Sequence, residues 1–213
     1  MKLLEEKYDG LQEIGDLSYG LKRFLSEPDI QRALQKSDLS VIYGKVHIEL
    51  ASEFTQLMNS LNIDPLEYLN YIPNWFLSNT TIRSITIPTY IKRIGSGAFQ
   101  NCVQLTHITI PDSVIDIGTE AFAYCKGLTS IVIPDSVISI SHGCFRNCTY
   151  LASITLTNNI TTISNGVFEN CRSLKSIVIP DGVTSIGYQA FLGCDKLTSI
   201  TIPGSVIDIG SEV

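Results

Sequence analysis

From residue 76 onward, apolar residues recur along the chain with a 23-residue period. Proline occupies one position of this period in every unit but one, where Thr157 stands instead. Phenylalanine occupies another position without exception, at Phe76, Phe99, Phe122, Phe145, Phe168 and Phe191. A fixed period of this length is typical of stacked repeat units that each contact only their neighbours. The pattern therefore predicts a solenoid over residues 76–213, with about six units.

Within one unit, residues 128–134 alternate between apolar and polar types and are rich in β-branched residues. This alternation predicts a short strand with one buried face, which Pro134 ends. A turn pair follows, and Val137 and Ile140 are then expected to point into the core. The rest of the unit leaves room for one helical or 3₁₀ turn, and not for a full hairpin or a pair of helices.

Residues 1–75 lack the 23-residue period. Ser26 and Pro28 predict a helix start, with the serine as cap and the proline in the first turn. Apolar residues at three- and four-residue steps predict a second helix over 45–61, and a third is expected from Asp64 to about Tyr71. We interpret residues 1–75 as a small helical domain that caps the N-terminal end of the repeat core.

The repeat pattern, L-x-x-I-x-I-P-x-x-V-x-x-I-G-x-x-A-F-x-N-C, resembles the BspA-like branch of the leucine-rich repeat family over residues 76–213. The resemblance implies an α+β repeat protein whose coils form a right-handed solenoid, with a parallel β-sheet on the concave side and looser structure on the convex side. It also implies a binding role, often in surface proteins of bacteria that contact host proteins or other cells.

Composition and charge narrow the function classes. The chain has 213 residues, of which 44% are hydrophobic and 17% charged, and this excludes a disordered protein. The net charge is -6, and residues 1–75 hold 12 of the 21 acidic residues and 7 of the 15 basic ones. Binding to nucleic acid is therefore not expected. No apolar run reaches the roughly 18 residues that span a bilayer, so membrane insertion is not expected either.

Localisation and assembly are inferred from the ends of the sequence. Residues 1–10 carry acids where a signal peptide has its apolar stretch, which favours the cytoplasm by default, whereas the family resemblance favours a surface protein. The sequence stops shortly after Ile209, without the A-F-x-N-C segment or a visible cap. Two alternatives stay open: the sequence is a fragment of a longer array, or a second copy covers this end in a homodimer.

The cysteines are expected to be structural. Five of the six share one position of the repeat, and the sixth, Cys144, shares the alanine position. The five are Cys102, Cys125, Cys148, Cys171 and Cys194. Cysteines spaced by about 4.8 Å along a line do not converge on a metal ion, and parallel Cβ directions are unfavourable for disulfides. We therefore expect six free thiols that pack as small apolar groups, and no metal site.

No motif indicates catalysis or a cofactor. His142 is close to Cys144 in sequence, but its position in the repeat is expected to point outward while that of Cys144 points inward. The sequence contains no dinucleotide-binding, P-loop or H-E-x-x-H motif. An enzymatic site would need the aromatic group of Tyr68, Tyr71 and Trp75, which is more simply explained as the core between the cap and the repeats. We expect a protein that is not an enzyme and that has no cofactor.

The outward positions of the predicted strands form the candidate binding face. They would align as ladders of small hydroxyl and β-branched side chains over six strands, roughly 29 Å from first to last. Together with the flanking groups they are Arg83, Ser84, Thr86, His107, Thr109, Ser130, Val132, Ser153, Thr155, Lys175, Ser176, Val178, Ser199 and Thr201. Such residues also suit any exposed sheet, so a purely structural role is the alternative.

Three functional hypotheses follow. The first is a protein-protein interaction module that binds a protein partner through this concave strand face. The second is a fragment of a cell-surface adhesion protein that binds host proteins. The third makes the acidic helical domain the specific binder and the repeats a spacer.

Overall fold

The computed structural model of the protein describes residues 25, 27–35 and 69–213. Its internal contacts divide the chain into two units, residues 1–69 and 70–213. The predicted cap residue Ser26, the helix predicted over 45–61 and most of the helix predicted from Asp64 lie outside the described residues.

The described part of the first unit contains one helix, α1 (Pro28–Gln35). It begins with the proline and has Asp29 in its first turn, where a negative charge interacts favourably with the helix dipole. Arg32 Nη1 lies 3.7 Å from Asp29 Oδ1, and both side chains are exposed. Ile30 is fully buried. The helix start predicted from this segment is therefore observed.

The second unit is a solenoid of short parallel strands. One set consists of three-residue strands: β2 (Ser84–Thr86), β4 (His107–Thr109), β6 (Ser130–Val132) and β8 (Ser153–Thr155). The other set consists of two-residue strands: β1 (Tyr71–Ile72), β3 (Arg93–Ile94), β5 (Asp116–Ile117), β7 (Ser139–Ile140), β9 (Thr162–Ile163), β10 (Ser185–Ile186) and β11 (Asp208–Ile209). The predicted solenoid is confirmed. The described part of the chain contains little helix.

The prediction of one strand and a helical turn per unit is wrong. The segment after the proline turn forms a second strand instead, because its backbone bonds to the preceding coil. Ile138 N, for example, donates to Ile115 O at 3.0 Å. This second strand lies where Val137 and Ile140 were expected as inward anchors, and both side chains are buried. Tyr71, expected at the end of a helix, belongs to strand β1.

The strands pair in parallel, and every strand pair except β1-β3 has the register that the period predicts. The two-residue strands form a four-stranded sheet in the order β1-β3-β5-β7 and a three-stranded sheet in the order β11-β10-β9. The three-residue strands form two pairs, β2-β4 and β6-β8. Beyond them, Val178 and Thr201 form an isolated bridge. The continuous six-strand ladder predicted for this face is therefore interrupted between β4 and β6 and again after β8.

The first coil is one residue shorter than the others. Phe99 N donates to Ala121 O in the next coil. Leu77 N makes the equivalent bond to Ala98 O, but this donor and its acceptor are one residue closer together in the sequence. Leu77 therefore lies level with Phe99, and the prediction that Phe76 begins the phenylalanine column is wrong. Phe76 is nevertheless buried, one position earlier in the coil.

The deletion lies in the turn after the cysteine position. Thr80 is level with Cys102, and its Oγ1 lies 3.4 Å from Cys102 Sγ. Only Thr81 then separates Thr80 from the next strand segment. In the following coil two residues, Val103 and Gln104, occupy this turn. Because this turn is at the surface, its length changes without disturbing the core.

The asparagine of the repeat motif has a backbone explanation. Asn101, Asn147 and Asn170 all adopt a φ of 58°, in the left-handed region. Asparagine tolerates this region better than most residues because its side chain bonds locally. Asn147 N then donates to Glu169 O in the next coil at 2.7 Å, so the unusual backbone angle serves the contact between coils.

The core is a set of columns in which the same position of each coil is buried. From Phe99 onward, the phenylalanine rings stack in sequence with centroid distances of 5.2, 5.5, 5.9 and 5.4 Å. The first three pairs are within 6° of parallel. Such an arrangement is the offset stacking that aromatic pairs prefer. Each ring from Phe122 onward therefore contacts a ring of the coil before it, and each ring from Phe99 to Phe168 contacts a ring of the coil after it.

The cysteines add a hydrogen bond between coils that the apolar interpretation did not include. Phe122 O accepts from Cys125 N at 3.2 Å and from Cys148 Sγ at 3.1 Å. The same thiol-to-carbonyl bond recurs for Cys102, Cys125, Cys171 and Cys194 at 3.0 to 3.2 Å. The six cysteines of the chain are free thiols, as expected. Burial raises the pKa of the Cys144 thiol far above its ordinary value of 9.0.

Replacing Phe145 with alanine should lower the free energy of unfolding by roughly 3 to 5 kcal/mol, because the ring is fully buried between two others. Urea unfolding followed by circular dichroism measures the change. The control is Tyr150→Ala, since Tyr150 is exposed and its replacement should change stability by less than about 0.5 kcal/mol. Equal losses in the two variants would contradict the central position of Phe145.

The buried thiols should make the protein sensitive to alkali. The folded state keeps the Cys144 proton above pH 9 while the unfolded state releases it, so stability falls as the pH rises through this range. Cys144→Ala, which introduces the residue that Ala121 provides one coil earlier, should reduce the slope of unfolding free energy against pH by about 1.4 kcal/mol per pH unit between roughly pH 9 and 10.5. Urea titrations at several pH values measure this slope. Parallel curves for the variant and the unmodified protein would refute the effect.

Candidate functional site

All fourteen residues predicted for the binding face are exposed in the structure. Eight of them are the outer residues of strands β2, β4, β6 and β8. The central isoleucine of β4, β6 and β8 points the other way and is buried, as the alternation of types requires. Since one buried column holds the strands, their outward side chains share one face, which we call the strand face.

The remaining predicted residues lie around these strands. Ser176, Val178, Ser199 and Thr201 follow outside the named strands, where the Val178–Thr201 bridge joins two coils. Arg83 and Lys175 come just before strand positions, and their backbones bond to neighbouring coils. The structure thus places the fourteen residues as predicted, and their role in binding stays a prediction.

A depression with a volume of about 540 Å³ lies on the strand face where the ladder is interrupted. Its walls come from β4, β6, β8 and the turns that follow these strands. The predicted residues that line it are His107, Thr109, Ser130, Val132 and Thr155. Val132 is 65% exposed, so it offers an uncovered apolar side chain in this depression.

Sequence reasoning missed part of this depression. Asp112, Pro134, Asp135 and Leu156 also line it, and they belong to the turns after the strands. The signal was present in the recurring proline-aspartate pair, which was interpreted only as a turn. Both aspartates are exposed, so the face is acidic at this end and not neutral as the strand positions alone indicated.

His107, which also lines the depression, begins strand β4. Its Nε2 lies 3.4 Å from Thr109 Oγ1 on the same face of the strand. Ser130 and Thr155 also line the depression, and they offer hydroxyl donors and acceptors. This arrangement can hydrogen-bond a peptide backbone or polar side chains beside an exposed apolar group.

The two-residue strands present a second exposed surface that was not predicted. Ile115 and Ile138 are exposed beside β5 and β7. Arg93 forms an ion pair with Asp116 in the next coil, with Nη2 3.0 Å from Oδ2. Because the arginine side chain is largely exposed, this pair contributes little to stability.

The other groups considered for chemistry are apart from one another. His142 is exposed, whereas Cys144 is buried with a raised pKa that keeps it as the thiol. The two therefore lack the arrangement of a nucleophile and its base. Among the described residues, no group of three or more His, Cys, Asp or Glu side chains is placed to hold a metal ion. No helix in the described ranges is long and apolar enough to cross a membrane.

Two further expectations concern the ends of the solenoid. The aromatic group expected at the start is only partly described: Tyr68 lies outside the described residues, and the Trp75 indole lies directly over Gly97 in the next coil. At the last strand, Ile209 is 53% exposed although Ile186, at the same position one coil earlier, is 1% exposed. A homodimer through this end stays a prediction.

Several solved structures of bacterial repeat proteins are similar to this chain. A leucine-rich cell surface protein from Faecalibacterium prausnitzii is 39% identical over 62% of this chain and 36% of its own, with a TM-score of 0.58. A leucine-rich repeat protein of T. pallidum is 29% identical over 60% of this chain and 69% of its own, with a TM-score of 0.55. One from Bacteroides ovatus is 30% identical over 66% of this chain and 42% of its own, with a TM-score of 0.51.

This chain thus spans about a third of the length of the F. prausnitzii protein. No curated protein sequence matches it. The sequence does match the family described as BspA type leucine-rich repeat region, with six copies over residues 50–152 and 115–213. These matches cover well over half of the chain, and they agree with the stacked parallel coils, the phenylalanine column and the cysteine position described above. The protein belongs to the BspA-type leucine-rich repeat family.

Proposed function

We propose that the protein binds a protein partner through its strand face and acts as an interaction module and not as an enzyme. The support is a surface in which small hydroxyl side chains and exposed valines alternate along rigid strands. The strand positions themselves carry few charges, so apolar and hydrogen-bonding groups supply most of the contact there, beside the two aspartates of the depression.

The depression between β4, β6 and β8 is the observation that carries this proposal. Surface depressions that combine a few polar groups with exposed apolar side chains are typical places for a partner to insert an anchor residue. Val132 supplies the apolar contact, and His107, Ser130 and Thr155 supply the hydrogen-bonding groups. The strands hold these groups in fixed positions, so little side-chain freedom is lost on binding.

A place on the cell surface is the finer form of this proposal. The F. prausnitzii structure is described as a cell surface protein, and it shares 39% identity with this chain. A fragment of such a protein would present the strand face to proteins of a host or of another cell. We propose in addition a helical domain before the coils, which α1 with its buried Ile30 and exposed Asp29 and Arg32 supports.

Replacing Thr109, Thr155 and His107 together with lysine should reduce partner capture by at least about tenfold, because the long side chains fill the centre of the strand face. The measurement uses the immobilised protein and a protein extract of the source organism, with the retained proteins quantified by mass spectrometry. The matched control replaces Thr119, Thr161 and His142 with lysine, since these are the same residue types, also exposed, outside the strand face.

The proposal holds if a protein retained by the unmodified chain and by the control is lost from the strand-face variant. Capture that is equal for all three forms would refute it. If the acidic N-terminal region is the specific binder, capture would survive the strand-face substitutions and disappear when residues 1–75 are replaced. Thermal melting of each variant separates a lost partner from a lost fold.

A further inference from the structure

The acidic end of the strand-face depression points to the chemistry of the partner. Asp112 and Asp135 occupy the same position of adjacent coils, directly after the proline that ends each strand segment. Both are exposed, and neither carboxylate has an ion pair or a side-chain hydrogen bond within the described ranges. Both line the same depression, so two like charges face one surface without compensation.

An apolar surface adjoins these carboxylates. Val132 is exposed, and Pro134 and Leu156 are half-buried in the wall of the same depression. The side chains of lysine and arginine combine an aliphatic stem with a charged head, and they bind where an apolar surface leads to an acid. An acidic or purely apolar side chain would leave the two carboxylates uncompensated.

The length of the depression favours an extended segment. His107 is the first residue of β4 and Asp112 lies in the turn after this strand, and both line the depression. At about 3.3 Å per residue the separation of these two residues is at most roughly 16 Å, so the lining along β4 is matched by an extended segment of no more than about five residues. Thr109, Ser130 and Thr155 line the same depression, and their hydroxyls can bond a peptide backbone there.

The geometry points to an extended, basic peptide segment of the partner as the occupant of this depression. Its lysine or arginine head lies between Asp112 and Asp135, and its aliphatic stem lies along Val132 and Pro134. This inference rests on the proposed function and specifies the partner's chemistry within it. Arginine can in addition bond a carboxylate with two parallel hydrogen bonds.

A library of random dodecapeptides displayed on phage tests the inference on the full chain. The unmodified protein should select sequences in which lysine or arginine lies beside aliphatic residues. The D112N/D135N variant should lose this preference for basic residues. The matched control is D181N/D208N, in which two other exposed aspartates outside the depression are changed, and it should select the same sequences as the unmodified protein.

A selected peptide, labelled with fluorescein, then gives the affinity by fluorescence anisotropy. The D112N/D135N variant should bind it roughly five- to tenfold more weakly than the unmodified protein and the control do. Raising the salt to about 0.5 M should weaken binding to the unmodified protein by a similar factor and change binding to D112N/D135N little. A purely structural role of the aspartates would not produce this difference in salt dependence.

Selected sequences without basic residues, or a basic preference that persists in D112N/D135N, would overturn the inference. If such peptides are nevertheless lost from the variant with lysine at Thr109, Thr155 and His107, the strand face is still the binding surface and only the partner's chemistry is wrong. Failure to select any peptide would also overturn the inference, since a linear segment is then insufficient. The capture experiment with folded proteins would decide on the proposed function by itself.

Discussion

The hydrogen bonds that join one coil to the next are the interaction on which the rest of the structure depends. A single coil closes turn hydrogen bonds of its own, such as Cys125 N to Phe122 O, but the N–H groups between these turns need partners in a neighbouring coil. Phe122 N, for example, donates to Cys144 O at 2.9 Å, and the equivalent bond recurs from coil to coil. A buried N–H without a partner costs several kcal/mol. The number of residues between the bonded positions of successive coils is therefore kept nearly constant. The stacked rings and the thiol bonds follow from this spacing because they place like residues one above another.

Much of this fold could be predicted because the period repeats at so many positions. The solenoid and the exposed strand face follow from alternating residue types, and the free thiols follow from the cysteine column. The second strand of each coil was missed because two inward residues at a spacing of three, such as Val137 and Ile140, are equally compatible with a helical turn. The shift of Phe76 was missed because the deletion lies at Thr81. This surface turn has no recurring apolar position that would have indicated the missing residue.

The candidate site could be predicted less completely. Burial alternates along a strand, so the exposure of Thr109 or Thr155 follows from the sequence alone. The interruption of the ladder between β4 and β6 does not, because the residues of these strands are nearly the same as those of the paired strands. Asp135 belongs to the turn pair predicted after Pro134, and Asp112 occupies the same position one coil earlier; that both line one depression with Val132 requires the path of the chain after the proline. The depression therefore depends on packing between coils, which a repeating pattern describes only on average.

The shorter first coil has a consequence for how such an array can change its length. The strands and the cysteine bonds require a constant number of residues between contacts, so an insertion within the strands or the core segment would move every later side chain out of its column. The turn at Thr81 lies outside those contacts and accommodates a missing residue. Arrays of this kind can therefore gain or lose whole coils, or vary in this one turn, and still keep their register. The turn after the cysteine is accordingly the place where a loop of foreign sequence can be grafted with least disturbance to the fold.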